Sequence, residues 1–85
     1  MRVAYHRNFE RQYKKLPVKI KTKFEERLEL FLQEPFSPLL ENHALGGNYK
    51  DCRSINITGD VRAIYYIKVR ILVFINIGSH SELYD

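Results

Sequence analysis

Two periodicities divide this chain. Up to about residue 33 the apolar positions recur every three or four residues, and from about residue 49 they alternate or run together. Residues 2–6 alternate weakly and include Val3 and Tyr5, which predicts a short first strand. Asn8 is a candidate N-cap for a helix ending near Leu16, with Phe9, Tyr13 and Leu16 on one face. Pro17 breaks that helix and can open the next. Over residues 18–33, Ile20, Phe24, Leu28, Phe31 and Leu32 form an apolar stripe, and lysines and glutamates fill the other face. Pro35 and Pro38 then begin a loop over residues 34–48 that holds Leu39, Leu40, His43, Leu45, Gly46 and Gly47. It is long for so small a chain, and long loops in compact domains are often functional.

The second half reads as a meander. Over residues 49–57, Tyr49, Asp51, Arg53, Ile55 and Ile57 point one way, and Lys50, Cys52, Ser54 and Asn56 the other. Thr58-Gly59-Asp60 is a turn. Residues 61–67 are a branched and aromatic strand, and Lys68-Val69-Arg70 is a second tight connection. Residues 71–77 are nearly all apolar, which predicts a central strand buried on both faces. The tail, from Gly78 onward, carries His80 and Tyr84. The expected fold class is α+β in the order β-α-α-β-β-β. A helical hairpin covers a mainly antiparallel four-stranded sheet, with the first strand at the edge of the meander and residues 1–85 as a single domain.

Composition narrows the setting. With 45% hydrophobic residues the chain can fill a core, and its single cysteine, Cys52, cannot form an internal disulfide, which fits a reducing cytoplasm. Arg2, His6, Arg7 and Glu10 interrupt any signal-peptide-like run, and residues 71–77 are too few to span a bilayer, so no membrane partner is expected. Residues 1–27 hold nine Lys and Arg against three acids, a local +6, whereas the whole chain carries +4. Such polarised charge suits RNA, DNA or an acidic protein partner, but taken alone a solubilised helix face accounts for it slightly better.

The sequence has no Walker motif, no dinucleotide fingerprint, no Cys-x-x-Cys pair and no His-Glu-x-x-His, so no cofactor is implied. His6, His43, His80 and Cys52 lack metal-ligand spacing, and no metal site is expected. Polar residues at element ends remain. His80 follows the last strand by two residues after Gly78, taken as flexible; His43 sits in the long loop; Lys50 and Asn56 share a strand face; Arg62 begins the next strand. Adjacent meander strands bring such groups within reach of one another. Metal-free RNA cleavage needs a base for the 2′-hydroxyl, cations for the phosphorane and an acid for the leaving 5′-oxygen. Histidine suits both proton transfers, and Arg or Lys suits the charge. On spacing alone the signal is weak: a lone histidine near a terminus is usually a solvated or hydrogen-bonded surface residue, and Arg62 and Lys50 are most often solvated strand residues. Asp60 reads first as a turn residue, and Tyr84 as a ring that pins the tail.

The segment from His43 to Arg53 (HALGGNYKDCR), continued by GDVRAIYY over residues 59–66 and closed by GSHSELY over residues 78–84, resembles the RelE/ParE toxin superfamily, closest to YafQ-type mRNA interferases. The resemblance covers the whole chain in layout and the second half in motif. It implies the RelE-like fold and a type II toxin that cuts mRNA in the ribosome without a metal and is neutralised by a cognate acidic antitoxin. Operator DNA would be met only through that complex. It also implies catalytic roles for His80, His43, Asp60 and Arg62, with Lys50, Arg53, Asn56 and Tyr84 on the RNA. Asn56 stands where YafQ-type proteins carry another histidine, so proton transfer falls to His43, Asp60 or His80. A non-enzymatic ParE-like gyrase inhibitor, or a catalytically weak member that binds antitoxin, would share the fold.

Overall fold

The first helix, α1 (Arg7–Lys14), starts at His6 rather than Asn8, because the His6 Nδ1 accepts from the Asn8 backbone N–H at 3.0 Å. Pro17, extended and without an N–H of its own, caps α2 (Val18–Gln33) through its carbonyl, which accepts from Ile20 and Lys21. The expected bounds of α2 are met. In this computed structural model, which describes residues 1–84, these helices lie on a sheet of five strands. The strands are β1 (Arg2–Tyr5), β2 (His43–Ala44), β3 (Arg53–Thr58), β4 (Val61–Lys68) and β5 (Ile71–Ser79), and a short α3 (His80–Tyr84) follows. They lie in the order β1-β5-β4-β3-β2, antiparallel except for β1 beside β5. The fold class is as expected, and β1 joins the meander at its edge.

The fifth strand comes from the segment read as an open loop. Pro38–Leu40 is a 3-10 turn that drives Leu40 into the core, and His43 and Ala44 then pair with Ser54 and Arg53. A second 3-10 turn, Gly47–Tyr49, closes a hairpin pinned by Leu45 N–H to Cys52 O at 3.0 Å. Residues 49–52 are therefore turn, not strand, and Asp51 is left-handed (φ 70°). Lys50 and Asn56 do not share a strand face. From Arg53 the alternation holds: Ile55 and Ile57 join the core under the helices, whereas Ser54 and Asn56 face away.

The core is aromatic. Phe9 of α1, Phe24 of α2 and Phe74 of β5 meet at 5.2–5.6 Å between ring centroids, and Phe31 meets Tyr65 edge-on at 5.0 Å. Each such ring removes a large apolar area from water, and its edge-to-face contacts add to that gain. Leu32, placed on the apolar stripe by periodicity, is instead 49% exposed, and Leu30 packs against the core. β5 is an interior strand, between β1 and β4, and is only half enclosed. Leu72, Phe74 and Ile77 are buried under the helices, and Ile71, Val73 and Ile75 are half-buried. A bulge at Ile75 shifts the register, so Tyr65 faces Phe74 while Ile64 faces Asn76. The extra residue keeps Phe74 and Ile77 on the helix face and turns Asn76 to the other. Gly78, read as a flexible joint, is a buried strand residue opposite Arg62.

Candidate active site on the open face of the sheet

Strand register assembles the site. Arg62 of β4 stands between Asn56 of β3 and Gly78 of β5, and His43 of β2 stands opposite Ser54. All point away from α1 and α2, since their strand neighbours Ile55, Ala63 and Ile77 form the core under the helices. The last segment folds over this face. Ser79 and Glu82 form a capping box: the Ser79 N–H donates to Glu82 Oε1 at 2.7 Å, and the Glu82 N–H donates to Ser79 Oγ at 3.2 Å. The Ser79 N–H, and after it the Ser79 hydroxyl, hold the Glu82 carboxyl below its usual range. α3 starts at His80, and Tyr84, four residues on, lies on the same side with its ring 4.7 Å from the imidazole.

His43, Leu45, Arg62, His80 and Tyr84 line an open cavity of about 330 Å³. The His43 Nδ1 lies 2.8 Å from the Glu41 carbonyl. A carbonyl only accepts, so Nδ1 carries a hydrogen here, and in the neutral ring the lone pair is on Nε2. Glu41, left-handed at φ 46°, also brings its carboxylate to 3.8 Å from Arg62 Nη2. The Arg62 Nη1 and the Tyr84 hydroxyl are buried and have no hydrogen-bond partner. A buried, unpaired guanidinium nitrogen beside an open cavity is suited to an anion that enters it. A larger groove of about 710 Å³ lies under Tyr5, between α1 and α2. Its walls hold no histidine.

The sequence-derived residues divide. His43, Arg62, His80 and Tyr84 converge on the cavity. Asp60 does not line it. It is exposed in the β3–β4 turn, next to Val61, whose partner is Ser79. Asn56 is 9% exposed beside Arg62, and its amide donates to Gly59 O at 3.4 Å. Lys50 is exposed beyond the second 3-10 turn. Arg53 faces the helix side, where its Nε donates to Asn42 Oδ1 at 2.8 Å and its guanidinium lies 5.3 Å from the Phe36 ring. Asn42 in turn donates to the Tyr65 hydroxyl, so Arg53 fastens the segment ahead of β2. Glu41, Tyr49 and Glu82 were missed. Only Glu82 had a sequence signal, the Ser-x-x-Glu spacing over residues 79–82. Among the described residues, no three His, Cys, Asp or Glu side chains gather as a metal-ligand set.

A model of the bacterial toxin of type II toxin–antitoxin systems, YafQ, matches residues 1–85. The chain belongs to the YafQ family. Solved structures carry the same fold. YafQ from E. coli strain BL21(DE3) is 20% identical with a TM-score of 0.85, covering 100% of both chains. The E. coli DinJ–YafQ complex is 21% identical at TM-score 0.76, again over 100% of both chains. A copper-bound mutant toxin from Helicobacter pylori is 28% identical at TM-score 0.76 over 99% of both. No curated protein matches the chain. The YafQ-family layout thus accounts for the mostly antiparallel sheet and the helical hairpin behind the cavity. No helix among the described residues is long and apolar enough to cross a membrane.

Proposed function

We propose that this YafQ-family toxin is a ribosome-dependent mRNA endonuclease that cleaves by attack of the ribose 2′-hydroxyl. The observation that carries the reading is the cavity in which two histidines face an unpaired, buried Arg62 nitrogen. His43, with its Nε2 lone pair free, takes the 2′-hydroxyl proton. The 2′-oxygen bonds to phosphorus and the bond to the 5′-oxygen breaks. Arg62 holds the charge that develops on the phosphorane oxygens, and its fork presents a nitrogen already stripped of water and partner. His80, on the other wall, gives a proton to the leaving 5′-oxygen. The products are a 2′,3′-cyclic phosphate and a 5′-hydroxyl, and His43 and His80 have exchanged protonation states. The Tyr84 hydroxyl, also unpartnered, is placed to bond a phosphate oxygen, and its ring to pack on a base. Asp60, Lys50 and Asn56 would act on the RNA only from around the cavity. Arg53 would do so only by giving up its internal bonds.

The partners follow from charge and kinship. The basic N-terminal segment, +6 over residues 1–27, suits ribosomal RNA. The E. coli YafQ structure with DinJ supports a cognate antitoxin here, acidic by complementarity, acting in the cytoplasm where ribosomes are. The test is expression of wild type and His80→Ala, His43→Ala and Arg62→Ala variants in cells lacking antitoxin, with cleavage mapped on translated mRNA. Wild type should arrest growth and cut. Each variant should lose about 100-fold or more in cleavage, the range for acid–base and charge-stabilising groups. Equal arrest by wild type and His80→Ala, with mRNA intact, would refute the proposal.

A further inference from the structure

We propose that Glu82 and Tyr49 are positioning residues that hold the His80–Tyr84 segment over the cavity by fastening it at both ends. The proposal rests on His80 being the proton donor. α3 has five residues, far too few to be helical unaided, so its place must be set by ties to the rest of the fold. At its start, the reciprocal Ser79–Glu82 bonds fix the direction in which the chain leaves β5, and hence where His80 points. Gly78 makes room for this turn: a Cβ there would lie 3.0 Å from Glu82 Oε1 and 3.6 Å from Leu83. At its end, the Tyr49 hydroxyl donates to the Leu83 carbonyl at 3.2 Å and accepts from Asn76 Nδ2 at 3.3 Å. The Asn76 Oδ1 accepts from Asn8 Nδ2 at 2.7 Å, so a polar relay ties α1, β5 and the second 3-10 turn to α3. The Tyr49 ring meets Tyr84 edge-on at 5.9 Å, and Leu83 is 7% exposed.

Neither Glu82 nor Tyr49 lines the cavity, so both act through the residues they hold. Their titration agrees with these roles. The Ser79 backbone N–H and hydroxyl hold the Glu82 carboxyl low, keeping it an acceptor. Burial, then the neighbouring Tyr84 and Cys52, push the Tyr49 hydroxyl up, keeping it a donor.

The experiment is cleavage kinetics on programmed ribosomes for Glu82→Ala, Glu82→Gln, Tyr49→Phe and, as control, His80→Ala. Glu82→Ala and Tyr49→Phe should each lower kcat by about 10- to 100-fold, the scale of a misplacement of about 1 Å, and leave KM within about twofold. Glu82→Gln should recover most of the rate, because its amide oxygen still accepts from Ser79. Tyr49→Phe keeps the ring and removes one oxygen, so the test stands even where Glu82→Ala fails to fold. Wild-type kcat in Tyr49→Phe or in a folded Glu82→Ala, a rise in KM with kcat unchanged, or a Glu82→Gln no better than Glu82→Ala would overturn the proposal. If His80→Ala is inactive in those cases, the catalytic reading survives alone; if His80→Ala keeps the wild-type rate, that reading itself fails.

Discussion

Arg62 carries a guanidinium nitrogen that is buried and unpaired, with only an exposed Glu41 carboxylate at 3.8 Å from its other amino group. A cation left this way costs stability in the free protein, and the same feature suits it to an anion, the proposed role being to hold a phosphate. Arg62→Met should therefore separate the two effects. Cleavage falls at least about 100-fold, as for removal of an oxyanion-stabilising donor, while urea unfolding shows stability unchanged or raised by about 1 kcal/mol. A clear loss of stability would mean that the Glu41 contact matters more than the orphaned nitrogen. Ser54 makes a cleaner comparison. Its hydroxyl is buried opposite His43 with no partner. Ser54→Ala removes an unsatisfied group, so it should be neutral or stabilising by up to about 1 kcal/mol. It should also leave cleavage unaltered, since Ser54 is not in the cavity wall.

Among the elements, the two ends of β5 differ in strain. The turn from β4 to β5 has Val69 at φ 47° and Arg70 at φ 65°, left-handed positions that a β-branched residue disfavours. Replacing the pair by Asn-Gly should raise stability by about 1 kcal/mol, read by thermal unfolding, with activity unchanged. At the other end, the Glu82 carboxyl titrates below its usual range because Ser79 bonds its charged form. Its contribution to the tail is therefore present above the unfolded-state value and is lost as pH falls through the lowered one. Protection of the Leu83 amide against exchange, taken relative to its intrinsic rate at each pH, should fall in acid in wild type, and Glu82→Gln should flatten that dependence. Much of this scale was legible in the sequence. α2 and the two long strands follow from periodicity, because their apolar positions face a single core. The fifth strand was not, because two residues carry no period and their pairing is set by the hairpin around Gly47–Tyr49. The tail helix was hidden for a similar reason: its order comes from Tyr49 and Asn76, distant in sequence, although the Ser79–Glu82 cap was there to be read. At the site, His43, Arg62, His80 and Tyr84 were found through motif order, whereas Arg53 was drawn inward by Asn42, a contact that no spacing announces.

Across the whole molecule, the aromatic core and the open face divide the labour. Phe74 touches Phe9, Phe24 and Tyr65 on the helix side of β5, away from the cavity. Phe74→Ala should cost about 3–5 kcal/mol in urea unfolding, much of what a small domain has in total. The charge of residues 1–27 should be visible in salt. Neutralising Lys14, Lys15 and Lys19 to Gln should weaken ribosome pelleting and flatten its dependence on log salt by up to about one unit for each phosphate no longer neutralised. An unaltered slope would remove the helix pair from the ribosome-binding surface. The pairing of β1 with β5 adds a constraint in time. β1 is made early, yet its partner is the last strand of the sheet, and Arg62 and His80 come late as well. A nascent chain that has completed the helical hairpin still lacks the centre of its sheet and every wall of the cavity. For a protein proposed to attack ribosomes, the order of synthesis itself delays the weapon: the ribosome making it meets no finished site until β5 and α3 have emerged.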